Sequence, residues 1–260
     1  MRRGSAGKCV AVLSLCCGAA APAQTVDDVV HRYLEARGGL ARLRSVVGLR
    51  FTGTMELAGV STPLVLELKR PNKMRTEFTV EGRKGIRAYD GRTGWTQPPV
   101  PGEPARAMEA EDAAEARAQA DVDLSPLVDA AAKGYTVELV GRDRLPGGDT
   151  WMLVVRGKDG PPRTLSLDAK THLVVQVEDR RTVDGQAVDF VTEVGDYHPV
   201  AGVVFPHRFE VGPRGKAERQ RLLIQKVEVN PPLDDERFAM PGPPAPQQGA
   251  PHPRSPAVLP

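Results

Sequence analysis

The chain has 260 residues, of which 40% are hydrophobic and 26% charged, room enough for one large domain or two small ones. Its formal net charge is +2, but Arg2, Arg3 and Lys8 lie in a segment expected to be removed, which leaves 32 basic residues against 33 acidic ones. So even a balance gives no electrostatic footprint for a nucleic acid or an anionic membrane surface.

The first 23 residues read as a secretory signal: a basic start, an apolar run over 9–20, and Ala21-Pro22-Ala23 as a small-x-small cleavage pattern, with cleavage after Ala23. The run is too short to span a bilayer. A lipoprotein signal anchored through Cys16 or Cys17 is the weaker alternative, because Leu15 and Cys16 stand where small residues are expected. All three cysteines, Cys9, Cys16 and Cys17, lie in this segment. A mature chain starting at Gln24 therefore has neither disulfides nor thiolate chemistry available to it.

The mature chain opens on a helix over 25–37. Thr25 and Asp28 form a capping box, Val26, Val29, Val30, Tyr33 and Leu34 recur at helical spacing, and Gly38-Gly39 stops it. A short helical piece over 40–46 follows, then strands with period-two alternation. Leu49, Phe51, Met55 and Leu57 share one face. Leu64, Leu66 and Leu68 do the same, as do Met74, Thr76, Phe78 and Val80 beyond the Arg70-Pro71-Asn72 turn. A strand over 84–89 and an Asp90-Gly91 hairpin signal lead into Thr93-Gly94-Trp95-Thr96.

Pro98, Pro99, Pro101 and Pro104 then break the pattern. Residues 105–120 are rich in alanine and glutamate, with helical propensity and little apolar stripe beyond Met108. A second helix is expected from Ser125 as N-cap and Pro126 at N1, with Leu127 and Val128 on one face, to Gly134. Two weakly apolar helices inside a β-protein suggest a lid; decoration of an ordinary loop is the alternative. Asp121 and Asp123 form an acidic pair on the loop between them.

Strands return over 135–140, 150–156, 163–167, 172–181, 187–197, 203–211 and 218–229, punctuated by Gly, Pro and Asp turns as in an antiparallel meander. The fold class is mainly β (α+β): a curved antiparallel sheet of about ten or eleven strands forming an open half-barrel, with an N-terminal helix and an inserted helical lid. One domain is expected over 24–241. The last 20 residues carry eight prolines, and the tail over 242–260 cannot build a core.

Three motifs occur in order: Lys69-Arg70-Pro71-Asn72-Lys73-Met74-Arg75, Asp90-Gly91-Arg92-Thr93-Gly94-Trp95, and Asp234-Asp235-Glu236-Arg237-Phe238-Ala239-Met240-Pro241. Together they resemble the K/R-x-P-x-x-x-R turn, D-G-x-x-x-W hairpin and C-terminal D-x-x-x-F-x-x-P of periplasmic lipoprotein carriers of the LolA/LolB-like superfamily. Ala36-Arg37-Gly38-Gly39 is similar to the start of its outer-membrane lipoprotein-sorting-protein-like branch. The resemblance implies a half-open sheet whose concave apolar face holds acyl chains for traffic toward the outer membrane. Arg70, by motif position, would bond to the lid as its latch. The implied partners are a lipid or lipidated protein and transient inner- or outer-membrane proteins, on a monomer with no cofactor.

Residues of the inward parity are the candidate lipid lining: Phe51, Met55, Leu66, Leu68, Met74, Phe78 and Trp95, with Met108 and Leu127 from the lid. For each, ordinary core packing is the competing reading. An arginine on the apolar face needs acceptors, and lid carbonyls would serve Arg70; snorkelling into water at a strand end is the other possibility. Catalytic and metal-binding residues are not expected: the five histidines lack ligand spacing, and neither a nucleophile elbow nor a phosphate-cradling loop occurs. The function class open beside a carrier is a non-transporting envelope lipid sensor or scaffold in which the cavity is a packed core.

Overall fold

A computed structural model describes residues 24–242 except 159 and 184. The expected export signal, with its cysteines, and nearly all of the proline-rich tail lie outside the described residues.

The chain runs α1 (Val26–Ala36), α2 (Leu40–Ser45), β1 (Gly48–Leu57), β2 (Val60–Lys69), β3 (Lys73–Val80), β4 (Arg83–Tyr89), β5 (Gly94–Gln97), β6 (Arg106–Ala107) and α3 (Ala110–Gln119). It continues through β7 (Thr136–Leu145), β8 (Gly148–Arg156), β9 (Arg163–Asp168), β10 (Val174–Val183), β11 (Gln186–Val200), β12 (Val203–Pro213) and β13 (Gln220–Val229). All thirteen strands form one antiparallel sheet in the order β6-β5-β4-β3-β2-β1-β13-β12-β11-β10-β9-β8-β7. It is curved and does not close, because β6 and β7 remain as edges. The sheet thus has thirteen strands where ten or eleven are expected. One of them, β6, forms where helix is expected: Arg106 and Ala107 pair with Thr96 and Trp95, and α3 begins only beyond Met108.

This order fixes where the insertion must go. The chain starts the sheet at its centre, walks out to the β6 edge, and resumes at the opposite edge with β7. Residues 108–135 therefore have to cross one whole face of the sheet. That face is the concave one, and the register shows which side chains it carries: Leu49, Leu68, Met74 and Tyr89 in one row, Phe51, Leu66, Thr76 and Arg87 in the next, Leu64, Phe78 and Gly85 beyond.

Two apolar clusters fill the space between the crossing and the sheet. The first joins Leu43, Leu49, Phe51, Leu68, Met74, Tyr89 and Phe205 to Ala116, Ala120, Val122 and Val128 of the crossing. The second joins Val29 and Tyr33 of α1 and Leu127 of the crossing to Trp151, Leu153, Leu165 and Leu167. α1 takes its place because its capping box forms as the sequence implies: Thr25 Oγ1 accepts from the Asp28 amide, and the Asp28 carboxylate accepts from the Thr25 amide.

The turn into β10 carries one strained residue. His172 has φ +59°, its buried Nδ1 is without a hydrogen-bond partner, and burial, with Arg32 nearby, pulls its pKa below the usual 6.5. Because the folded pKa is depressed, the unfolded chain takes up the proton first, and stability is lost as the pH falls through 6.5. We expect a lower Tm at pH 5.5 than at pH 7.5, as calorimetry would show. That difference should shrink in His172→Asn, since asparagine tolerates the left-handed backbone and does not titrate.

Candidate functional site: the covered concave face

The closed end of the concave face is held by charge. Asp123, on the crossing, has a side chain only 1% exposed. Its carboxylate accepts from Arg70 Nη2 at 2.5 Å and Nη1 at 3.3 Å, and pairs with Lys133 Nζ at 2.7 Å. Arg70 also donates to the carbonyls of Val46 at 2.7 Å and Leu43 at 3.3 Å. Helix-end carbonyls do serve this arginine, but they belong to the end of α2; the crossing supplies a carboxylate instead. One guanidinium therefore ties the β2–β3 turn, the end of α2 and the crossing together.

Flanking contacts extend the seam. Arg37, 2% exposed, donates through Nε to the Val204 carbonyl, through Nη1 to the Tyr33 hydroxyl and through Nη2 to the Asp123 carbonyl. Arg44 on α2 pairs with Asp129 at 2.6 Å, and Arg87 on β4 pairs with Glu115 on α3 at 3.0 Å. Lys133 bridges Asp121 and Asp123. Burial pushes the Asp121 carboxyl above the usual carboxylate range, against the pull of Lys133. Burial also works against the Lys133 ammonium, yet the two carboxylates hold its pKa above the ordinary lysine value. The bond from Arg44 holds Asp129 below the usual range.

The expected second lid helix does not form. Residues 124–134 are a series of turns with positive φ at Leu124 and Asp129, and Ser125 Oγ accepts from the Leu127 amide. Local propensity loses to tertiary contacts: Leu127 goes to the second cluster, Val128 to the first, and Asp129 to Arg44. α3 itself grips weakly, since only Ala116 along it is buried.

Six of the nine proposed lining residues lie on the concave face, and burial is uneven along it, Leu64 beyond Leu66 on β2 being buried again. Phe51, Leu68 and Met74 are buried at the closed end; Met55, Leu66 and Phe78, farther along the same strands, are half-buried. Phe209 and Leu222 extend this partly open apolar surface. Met108 and Leu127 pack against it from the crossing. Two surface pockets lie away from the crossing. One lies between the β1–β2 turn and the segment leading into β13; the other is on the opposite face of the sheet. The covered end is filled by side chains.

Trp95 is a correction. It belongs to the row Arg50, Glu67, Arg75, Ala88, Trp95 on the convex face. There its Nε1 donates to the Phe238 carbonyl at 2.7 Å, and Arg75 lies over its ring and donates to the Arg237 carbonyl. The arginine, tryptophan and phenylalanine of the three sequence motifs thus meet in one place, where they clamp the C-terminal segment to the outside of the sheet. Parity counted within the short β5 does not reveal this; the register to β4 does.

Sequence reasoning noticed the Asp121–Asp123 pair without giving it a partner, and passed over Lys133, Arg44 and Asp129. An isolated lysine amid the small and apolar residues 126–134 was the available signal. Among the described residues no group of His, Cys, Asp and Glu is placed to hold a metal ion.

No family model matches the sequence, and no curated protein matches it. Solved structures do. A LolA superfamily protein from Nitrosomonas europaea superposes with a TM-score of 0.57 at 14% identity, over 84% of this chain and 98% of that one. A DUF1329 family protein from Desulfovibrio piger gives 0.57 at 11% identity, over 84% and 98%. A domain assigned to outer membrane lipoprotein sorting in Vibrio parahaemolyticus gives 0.55 at 10%, over 81% and 94%. At such identities the likeness establishes the fold, and the fold is LolA-like.

Proposed function

We propose that this chain is an exported carrier that binds a lipid, or the acyl chains of a lipidated protein, on the concave face of its sheet. One observation carries the reading: an apolar concave surface, partly open at Met55, Leu66 and Phe78, is closed at one end by a chain crossing that ion pairs fasten. Each methylene moved out of water is worth about 0.8 kcal/mol, so an acyl chain leaves a membrane only for a surface that hides it. A latch of ion pairs can be exchanged at constant apolar burial, and opening it would extend the half-open surface into the covered end. In this reading residues 1–23 are the cleaved signal, 24–241 the binding domain and 242–260 a tail, and the protein works in the periplasm without a cofactor. It hands cargo between membrane partners rather than transforming it.

The test is mass spectrometry of lipid extracted from protein purified out of its own envelope, beside a Leu66→Glu variant. Stoichiometric lipid on the wild type, and a loss of at least tenfold on a variant with unchanged circular dichroism, is the expected result. A clean wild type that also ignores fluorescent acyl probes would sink the reading. One feature favours a second reading, a scaffold for envelope proteins: the covered end is filled by side chains.

A further inference from the structure

The crossing is strongly acidic, with seven acidic and two basic residues over 108–134. In three ion pairs between it and the rest of the protein, the arginine belongs to the body and the carboxylate to the crossing: Arg44–Asp129, Arg70–Asp123 and Arg87–Glu115. Arg37, nearly inaccessible to water, reaches the same stretch through the Asp123 carbonyl. Arg44 and Arg70 meet at the end of α2, where Arg70 donates to the carbonyls of Leu43 and Val46 on either side of Arg44. The crossing also brings its own apolar side chains, Ala116, Ala120, Val122 and Val128, into the first cluster. Carboxylates held by arginines beside apolar groups laid on a sheet are what an anionic amphiphile would present.

We propose that the crossing is a built-in stand-in for the ligand, and that the ligand is an amphiphile with an anionic headgroup, a phosphate or a carboxylate, taken by Arg44 and Arg70 when Asp129 and Asp123 withdraw. The inference deepens the carrier reading and rests on it. Its physical basis is what lifting the crossing leaves behind. With no replacement, Arg37 and Arg70 lose acceptors at a partly desolvated seam, the costly way to break a charged contact. A neutral lipid restores the apolar burial but not these bonds, whereas an anionic head restores both. Selectivity for the head then comes from the body, and the chains supply most of the affinity.

The experiment is competition against a neutral fluorescent monoacylglycerol on the full-length protein, below the micellar concentration of each competitor. The competitors are tetradecyl phosphate, myristate, monomyristoylglycerol and glycerol phosphate. We expect the two anionic chains to compete at least tenfold better than monomyristoylglycerol, and glycerol phosphate to have no effect at millimolar concentration. The order of phosphate against carboxylate identifies the head. Arg44→Gln, whose side chain is 60% exposed, should keep the fold and shrink the preference at least threefold. Asp129→Asn, which loosens the stand-in and keeps the arginine, should raise the affinity for the anionic chains. Equal binding of anionic and neutral chains, or an unchanged preference in Arg44→Gln, overturns the headgroup inference and leaves the carrier reading intact. Failure of every chain, the neutral probe included, overturns both.

Discussion

Replacing Arg70 by methionine is expected to cost about 3 kcal/mol of folding free energy, the low end for breaking a buried pair, because this guanidinium is partly solvated. The substitution keeps the aliphatic stem and removes four hydrogen bonds at once, two to the Asp123 carboxylate and two to the carbonyls of Leu43 and Val46. Asp123 is left buried with Lys133 as its remaining charged partner. Denaturant midpoints would give the loss, and the m-value should stay constant, since the crossing reorders only locally. Hydrogen exchange over 120–134 should accelerate more than in the β8–β10 strands, which lie across the sheet. A double-mutant cycle with Asp123→Leu should give a coupling of about 1–3 kcal/mol; costs that simply add would show that Arg70 serves α2 alone. Arg70→Lys should recover little, because one ammonium cannot reach both the α2 carbonyls and the carboxylate.

Gly38→Ala should be worse, a loss of about 4 kcal/mol or more. Gly38 has φ +111°, and a Cβ built there would lie 2.2 Å from the Gly202 carbonyl oxygen and 3.2 Å from Val203 Cα. The obstacle is backbone, so no side chain can swing aside. Relief requires the β11–β12 turn to retreat, and that pulls on the bonds joining Arg37 to Val204, from the Val204 amide to the Arg37 carbonyl and from the Arg37 guanidinium to the Val204 carbonyl. Gly59→Ala is the control. Its φ is +80° but nothing lies within 4 Å, so it should show only the backbone cost of about 1–2 kcal/mol. Thermal melts of the two variants separate steric collision from conformational preference.

These two sites also mark what the sequence could and could not convey. The strands were legible because one face of the sheet is covered and the other solvated, so alternation in segments such as residues 64–68 and 74–80 reports burial directly. α1 was legible for the same kind of local reason, a capping box at one end and paired glycines at the other. The turns over 124–134 were not, because what decides them is distant: Ser125, Pro126 and Gly134 carry helix punctuation, while Asp129 answers to Arg44 and Leu127 to the strands beyond the midline. Arg70 was found by parity and motif together, but its carboxylate partner lies 53 residues away in sequence. Trp95 was misplaced because β5 spans four residues, too few for an alternation to show.

Because β1 and β13 lie side by side at the middle of the sheet, the protein is two pieces joined by a single strap. One piece is made of β1–β6 with α1 and α2, the other of β7–β13, and the only covalent link between them is the crossing. A protease cut in the exposed residues 109–112 would sever that link and leave the β1–β13 ladder, paired from Leu49–Val229 to Glu56–Arg221, together with the C-terminal clamp on Trp95, to hold the halves. The molecule is thus a ready-made split protein, and its two fragments should find one another through that central seam when produced apart.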